Sequence, residues 1–238
     1  MQGFSISRFK ALLGKDLQVL FLQLTGYVLI AFFLAVVAYS FTTILFNQRS
    51  AATTYAIAQA ANLLLIVVPI LTMRQFSRER QAGVLELIFS TSCTELEFVL
   101  AKYFSTLCLV SVMVGSCVCF PLALMIFTEV DLGVAFCGLF GLWLMAAALV
   151  AIGLCVASLI DNPLVAGIIS LAIFVALWTV DVASYLLPAA IQNGVASLSF
   201  DLRLSRFMTG AIHLSDITFY LLVIVGALML SVSRMSSR

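Results

Sequence analysis

The chain has 238 residues, is 63% hydrophobic and only 10% charged, and carries a net charge of +1. Soluble domains are about 25% charged, so this composition excludes a water-soluble globule and points to an integral membrane protein. The near-zero net charge gives no sign of a nucleic-acid partner.

Residues 4–21, FSISRFKALLGKDLQVLF, place Ile6, Phe9, Leu13, Leu17 and Leu20 at steps of three and four, with Arg8, Lys10 and Lys15 off that stripe. The spacing predicts an amphipathic helix with a basic side, suited to lying in the membrane interface. The competing reading makes it the start of the first span; the clustered charges favour the interfacial helix. The apolar run that follows begins too late and runs too long for a cleavable signal peptide, so none is expected.

Asp, Glu, Lys and Arg are absent from 17–48, 50–73, 103–128, 132–160, 162–180, 182–200 and 217–233. A spanning helix needs roughly 20 apolar residues. Six spans are predicted, at about 24–46, 55–73, 103–127, 134–160, 164–187 and 213–233, in a single all-α transmembrane domain over 1–238. The run 182–200 contains Pro188, Gln192, Asn193 and Gly194 and reads as a loop or short re-entrant helix. Pro69 in span two and Pro121 in span three remove backbone donors and favour kinks. In span four, Ala147, Ala151 and Cys155 lie four apart, as do Gly153 and Ala157. Such rows allow close helix approach, within the subunit or against a second one.

Between spans two and three lies a charged island, RQFSRERQAGVLELIFS, residues 74–90. On a helix Glu79, Gly83 and Glu86 share one face, and Gln81, Val84, Leu85 and Ile88 another. Gln75 reads as solvent-facing. Thr94 followed by Glu97 ahead of an apolar run is a capping-box pattern, which predicts the start of the helix that becomes span three. Asp161, Asn162 and Pro163 mark a tight turn between spans four and five. Asp181 interrupts the outer part of span five. An acid in a span is a functional candidate, and being near the outer surface it has an equal structural reading.

The segment FDLRLSRFMTGAIHLSD, before span six, is too polar to span and too apolar to float, so it is expected to rest on the outer interface or on a partner. Five of the six cysteines fall in spans without a CxxC pair and read as small packing residues. The single histidine, His213, offers no second ligand for a metal or haem. With both termini inside, nine Lys and Arg lie on the cytoplasmic side (Arg8, Lys10, Lys15, Arg74, Arg78, Arg80, Lys102, Arg234, Arg238) and three outside (Arg49, Arg203, Arg206). That asymmetry predicts cytoplasmic termini.

From these residues alone the island reads as a solvated loop or a partner-docking helix. The series RERQAGVLELIFSTSCTELEFVLAKYF resembles the signature of ABC-2 type permeases, the membrane subunits of one class of ATP-binding-cassette transporters. The family's Arg/Glu-Arg pair, glycine, Leu-Glu pair and later lysine fall here at Glu79, Arg80, Gly83, Leu85, Glu86 and Lys102. HLSDITFYLLVIVGALML, with the Phe-Asp before it, is similar to the gliding-associated subgroup. The family usually has a proline soon after the glutamate; this chain has Ser92 and Cys93, so the turn is less rigidly specified. The resemblance implies a cytoplasmic coupling helix with Arg78, Glu79, Arg80, Gly83, Leu85 and Glu86 as the ATPase-coupling residues, in the cell inner (cytoplasmic) membrane. It further implies two copies of a separate ATPase subunit that binds the ATP and Mg, and a second membrane subunit, identical or paralogous. The chain itself is then non-catalytic and binds no cofactor; it lacks GxxxxGK[ST], HExxH and GxSxG. A different class of function stands beside transport: a membrane scaffold that passes ATP-driven force to extracytoplasmic auxiliary proteins through 188–212.

Overall fold

The computed structural model describes residues 5–47, 52–77, 79, 94–125, 131–184, 194 and 198–236, and every element among them is helical. These helices are α1 (Ile6–Leu22), α2 (Leu24–Asn47), α3 (Ala52–Thr72), α4 (Glu95–Ser116), α5 (Cys119–Leu124), α6 (Leu132–Leu159), α7 (Pro163–Ser184), α8 (Phe200–Met208) and α9 (Leu214–Ser236). Six stretches are long and apolar enough to cross a membrane: Leu24–Thr43, Thr54–Thr72, Glu95–Leu124, Leu132–Leu159, Pro163–Val182 and Leu214–Met235. These six candidate spans among the described residues make the chain a multi-pass membrane protein.

α6 is the axis of the bundle. In its apolar window 83% of residues are buried, against 22% in span one and 17% in span five. It packs against α3, α4, α7, α8 and α9. Its small residues allow this: Ala147, Ala151, Cys155 and Ala157 are buried, and a Cβ on Gly153 would lie 2.5 Å from the Thr72 hydroxyl. The small-residue row therefore packs within the chain. The outer spans turn Tyr27, Phe32, Ile168, Leu222 and Met229 outward, a surface that hydrocarbon covers and water would not. Hydroxyls inside the bundle turn back on their own helices, as Thr106 does to the Lys102 carbonyl and Ser231 to that of Ala227, which satisfies them without water.

Helix ends follow local chemistry. The capping box forms: the Glu97 N–H donates to the Thr94 hydroxyl, and the Thr94 N–H to the Glu97 carboxylate. The helix it starts runs directly into span three, which begins earlier than the charge-free run suggested. α4 breaks at Cys117–Val118, one turn before Pro121; the proline ring clashes with the carbonyl four residues back and cannot donate to it. Pro69, by contrast, lies inside an unbroken α3. At the DNP turn the Asn162 side chain accepts from the Leu164 N–H and caps α7.

The packing puts α1, the end of α3 and the starts of α4 and α7 at one end of the bundle, the near end. Met73 sits by Gly167, and the Ser5 N–H donates to Glu97. The far end holds the start of α6 with α8: a Cβ on Gly141 would meet the Phe207 ring at 2.5 Å. In α8, Phe200, Leu204 and Phe207, spaced four and three, are all buried. The described part of this segment thus buries its apolar face on its own chain. Its helix ends in a Schellman motif, with Gly210 at φ 82° and Ala211 N–H bonded to the Arg206 carbonyl, a conformation that favours glycine.

Candidate functional site

Glu79 is the described member of the charged island's proposed coupling set. Its carboxylate turns into the chain. Oε1 lies 2.9 Å from the Lys15 ammonium of α1, and Oε2 lies 2.8 Å from the Lys102 ammonium of α4. Lys102 is also 3.6 Å from Asp16. Two lysines and two carboxylates thus join three parts of the chain: α1, the stretch after α3, and the first turns of span three. Lys102 is 2% exposed and sits over the rings of Phe98, at 4.9 Å, and Phe76, at 5.8 Å. Its ammonium is therefore covered by aromatic faces on one side and carboxylates on the other. The Oε2 contact is electrostatic more than directional, since that buried oxygen has no aligned donor.

The electrostatics are uneven. Burial acts to raise the Glu79 carboxyl, but the Lys102 and Lys15 charges more than reverse it and hold it below its ordinary value. Burial likewise acts to lower the Lys15 ammonium, and the Glu79 hydrogen bond and charge leave it raised. Asp16 goes the other way. Burial raises its carboxyl, the longer contact to Lys102 offsets only part of this, and the Glu79 charge adds to it. Asp16 is the strained member of the cluster and Glu79 the well-held one.

A second bond fixes α1. Glu97, fully buried, accepts from the Ser5 N–H at 2.5 Å while capping α4. One carboxylate so serves the starts of two helices, and α1 is tied to α4 at its start and again, through Asp16 and Lys102, beyond its middle. Between α1 and α2 the chain bends at Gln23, whose ψ of 133° leaves the helical range. Gly26 makes the bend possible, because a Cβ there would lie 2.5 Å from the Leu20 carbonyl oxygen.

Of the residues expected to couple to an ATPase, Arg78, Arg80, Gly83, Leu85 and Glu86 lie outside the described residues. Gln75 is not solvent-facing: its amide donates to the Thr106 hydroxyl at 3.1 Å. Asp181 lies near the C-terminal end of α7, at the opposite end of the bundle from Glu79. With burial, its charge pushes the Asp201 carboxyl up. Among the described residues no three His, Cys, Asp or Glu stand close enough together to hold a metal ion.

Sequence reasoning missed Lys15 as a partner of Glu79, and Asp16 as the second carboxylate on Lys102. It also missed Asp216, fully buried in the first turn of α9, whose carboxylate takes Arg203 at 2.5 Å and Arg206 at 3.1 Å. The available signal was an acid at the mouth of an apolar span, with two arginines three apart just upstream. No protein-family model matches the chain, and no curated protein matches it.

Proposed function

We propose that this chain is the permease subunit of an ATP-binding-cassette transporter of the ABC-2 kind. It sits in the inner membrane with both termini cytoplasmic and works with a second membrane subunit and two copies of an ATPase that holds the ATP and Mg. The observation that supports this most is the double tie of Glu79 to Lys15 and Lys102. A segment pushed from the cytoplasm at this point would pull at once on the basic helix α1 and on span three. A solvated loop needs no such connection, and the two ion pairs are short and at least half-buried.

Gly83→Trp and Glu86→Lys test the docking face, with Gln18→Ala on exposed α1 surface as control. Both variants are expected to reach normal membrane abundance, since neither removes apolar surface from a span. Both should recover less ATPase on co-purification or uncouple its ATP hydrolysis. If Glu86 is paired in a desolvated groove, its reversal costs roughly 2–5 kcal/mol of association. Wild-type recovery and coupling in both variants would overturn the reading.

A further inference from the structure

A cavity of about 560 Å³ opens at the near end, between the α1–α2 bend and the end of α3. One end is polar, lined by Lys15, Asp16, Arg74, Glu79 and Lys102. The other runs along spans one and two past Val28, Leu29 and Ile70. Val28 and Ile70 are 56% and 41% exposed, and Leu24 beside them 79%, so this wall opens where hydrocarbon lies in a membrane. Among the described lining residues three cations outnumber two carboxylates. Lys15 and Lys102 are paired with Glu79, whereas Arg74 has no carboxylate among the described residues.

We propose that this cavity binds one anionic phospholipid, with its phosphate on Arg74 and Lys15 and an acyl chain along Val28 and Ile70. The guanidinium is a planar fork that matches a phosphate with two parallel hydrogen bonds. Lys15, 45% exposed at its side chain, keeps donors free after binding Glu79, because an ammonium carries three. A soluble anion would leave the apolar wall uncovered, and a zwitterionic lipid would bring a second cation to a site already in cationic excess. This site stands whether or not the chain serves transport.

The test is native mass spectrometry of the full chain in detergent, titrated with phosphatidylglycerol, phosphatidylcholine and free glycerol phosphate. Wild type is expected to retain one phosphatidylglycerol in preference to phosphatidylcholine. Arg74→Glu should reduce that preference by about fivefold or more, the effect of at least one cation at an anionic surface. Val28→Trp, at an exposed position, should block the trough and lose both lipids while its lipid-free thermal unfolding stays that of wild type. Should that variant unfold early, Leu24→Trp fills the same wall from a still more exposed position. Unchanged preference in Arg74→Glu, or unchanged retention when the trough is filled, would reduce the site to ordinary surrounding lipid and overturn the proposal. So would glycerol phosphate binding as tightly as the whole lipid, which would mark a soluble-anion site.

Discussion

At the far end of the bundle one carboxylate, Asp216, is shared by two arginines ten and thirteen residues before it. At the near end two lysines and two carboxylates meet from three parts of the chain, with Lys15 and Glu79 64 positions apart. The far cluster is closed around its carboxylate. Asp216 is fully buried, and Arg203 is stacked 3.9 Å above the Phe219 ring. The near cluster faces a cavity and is built on lysines, point charges on flexible stems with no fixed fork. The difference separates two uses of buried charge. Arginines close in sequence staple a short helix to the span that follows it. Lysines gathered from distant segments make a joint that can yield as those segments move.

The largest effect is expected at the staple. Asp216→Ala leaves the mostly buried Arg203 guanidinium without its carboxylate, and breaking a buried pair costs about 3–5 kcal/mol. Thermal unfolding of the purified chain in detergent should drop accordingly. Arg206→Ala should cost less than Arg203→Ala, because Arg206 is 46% exposed and Arg203 only 11%. Equal and small losses in all three would show that α8 is held by Phe200, Leu204 and Phe207 alone, and the two clusters would no longer differ in kind.

Lys102→Met comes next. It keeps the stem's packing against Phe98 and Phe76 and removes the charge that two carboxylates share. Lys15 remains for Glu79, and both carboxylates retain some exposure, so the loss is expected at about 2–3 kcal/mol, below that of a fully dry pair. A joint also predicts a second result: faster proteolysis between α3 and α4 in Lys102→Met, read by cleavage of the folded protein in detergent. Unaltered cleavage would leave the near cluster a mere staple like the far one.

What was legible beforehand follows from which forces are local. Charge-free runs gave the six spans, because length and hydropathy are properties of one helix. Thr94 and Glu97 predicted the start of α4, because a capping box spans four residues. The direction of Glu79 was not legible. The steps to Gly83 and Glu86 described a helix face, but the carboxylate is turned by Lys15 and Lys102, which no local period connects to it. Asp216 was overlooked for a related reason. With the charges between them, Phe200, Leu204 and Phe207 read as a segment that rests on the outer interface or on a partner. Their packing against α6, far away in sequence, is what buries that apolar face.

The smallest effect concerns acid, and it separates the two carboxylates of the joint. Glu79 has a folded-state pKa below its ordinary 4.5. Its contribution is therefore complete above that value and is lost as pH falls through the folded pKa. Asp16 has a folded-state pKa above its ordinary 3.8. Its ionised form opposes folding at neutral pH, and that opposition is relieved as pH falls from the raised value to below 3.8. In the wild type the two slopes oppose each other below about pH 5, the range in which carboxylates titrate. Glu79→Gln should be less stable than wild type near neutrality and converge on it in acid. Asp16→Asn should stay within about 1 kcal/mol of wild type near neutrality, and it should lose stability more steeply in acid because the compensating relief is gone. Thermal unfolding of the three proteins in detergent, from neutral pH into the acid range, reads both slopes. If Asp16→Asn proved the more damaging change at neutral pH, the 3.6 Å contact to Lys102 would outweigh the burial of Asp16, and the joint would rest on Asp16 as much as on Glu79.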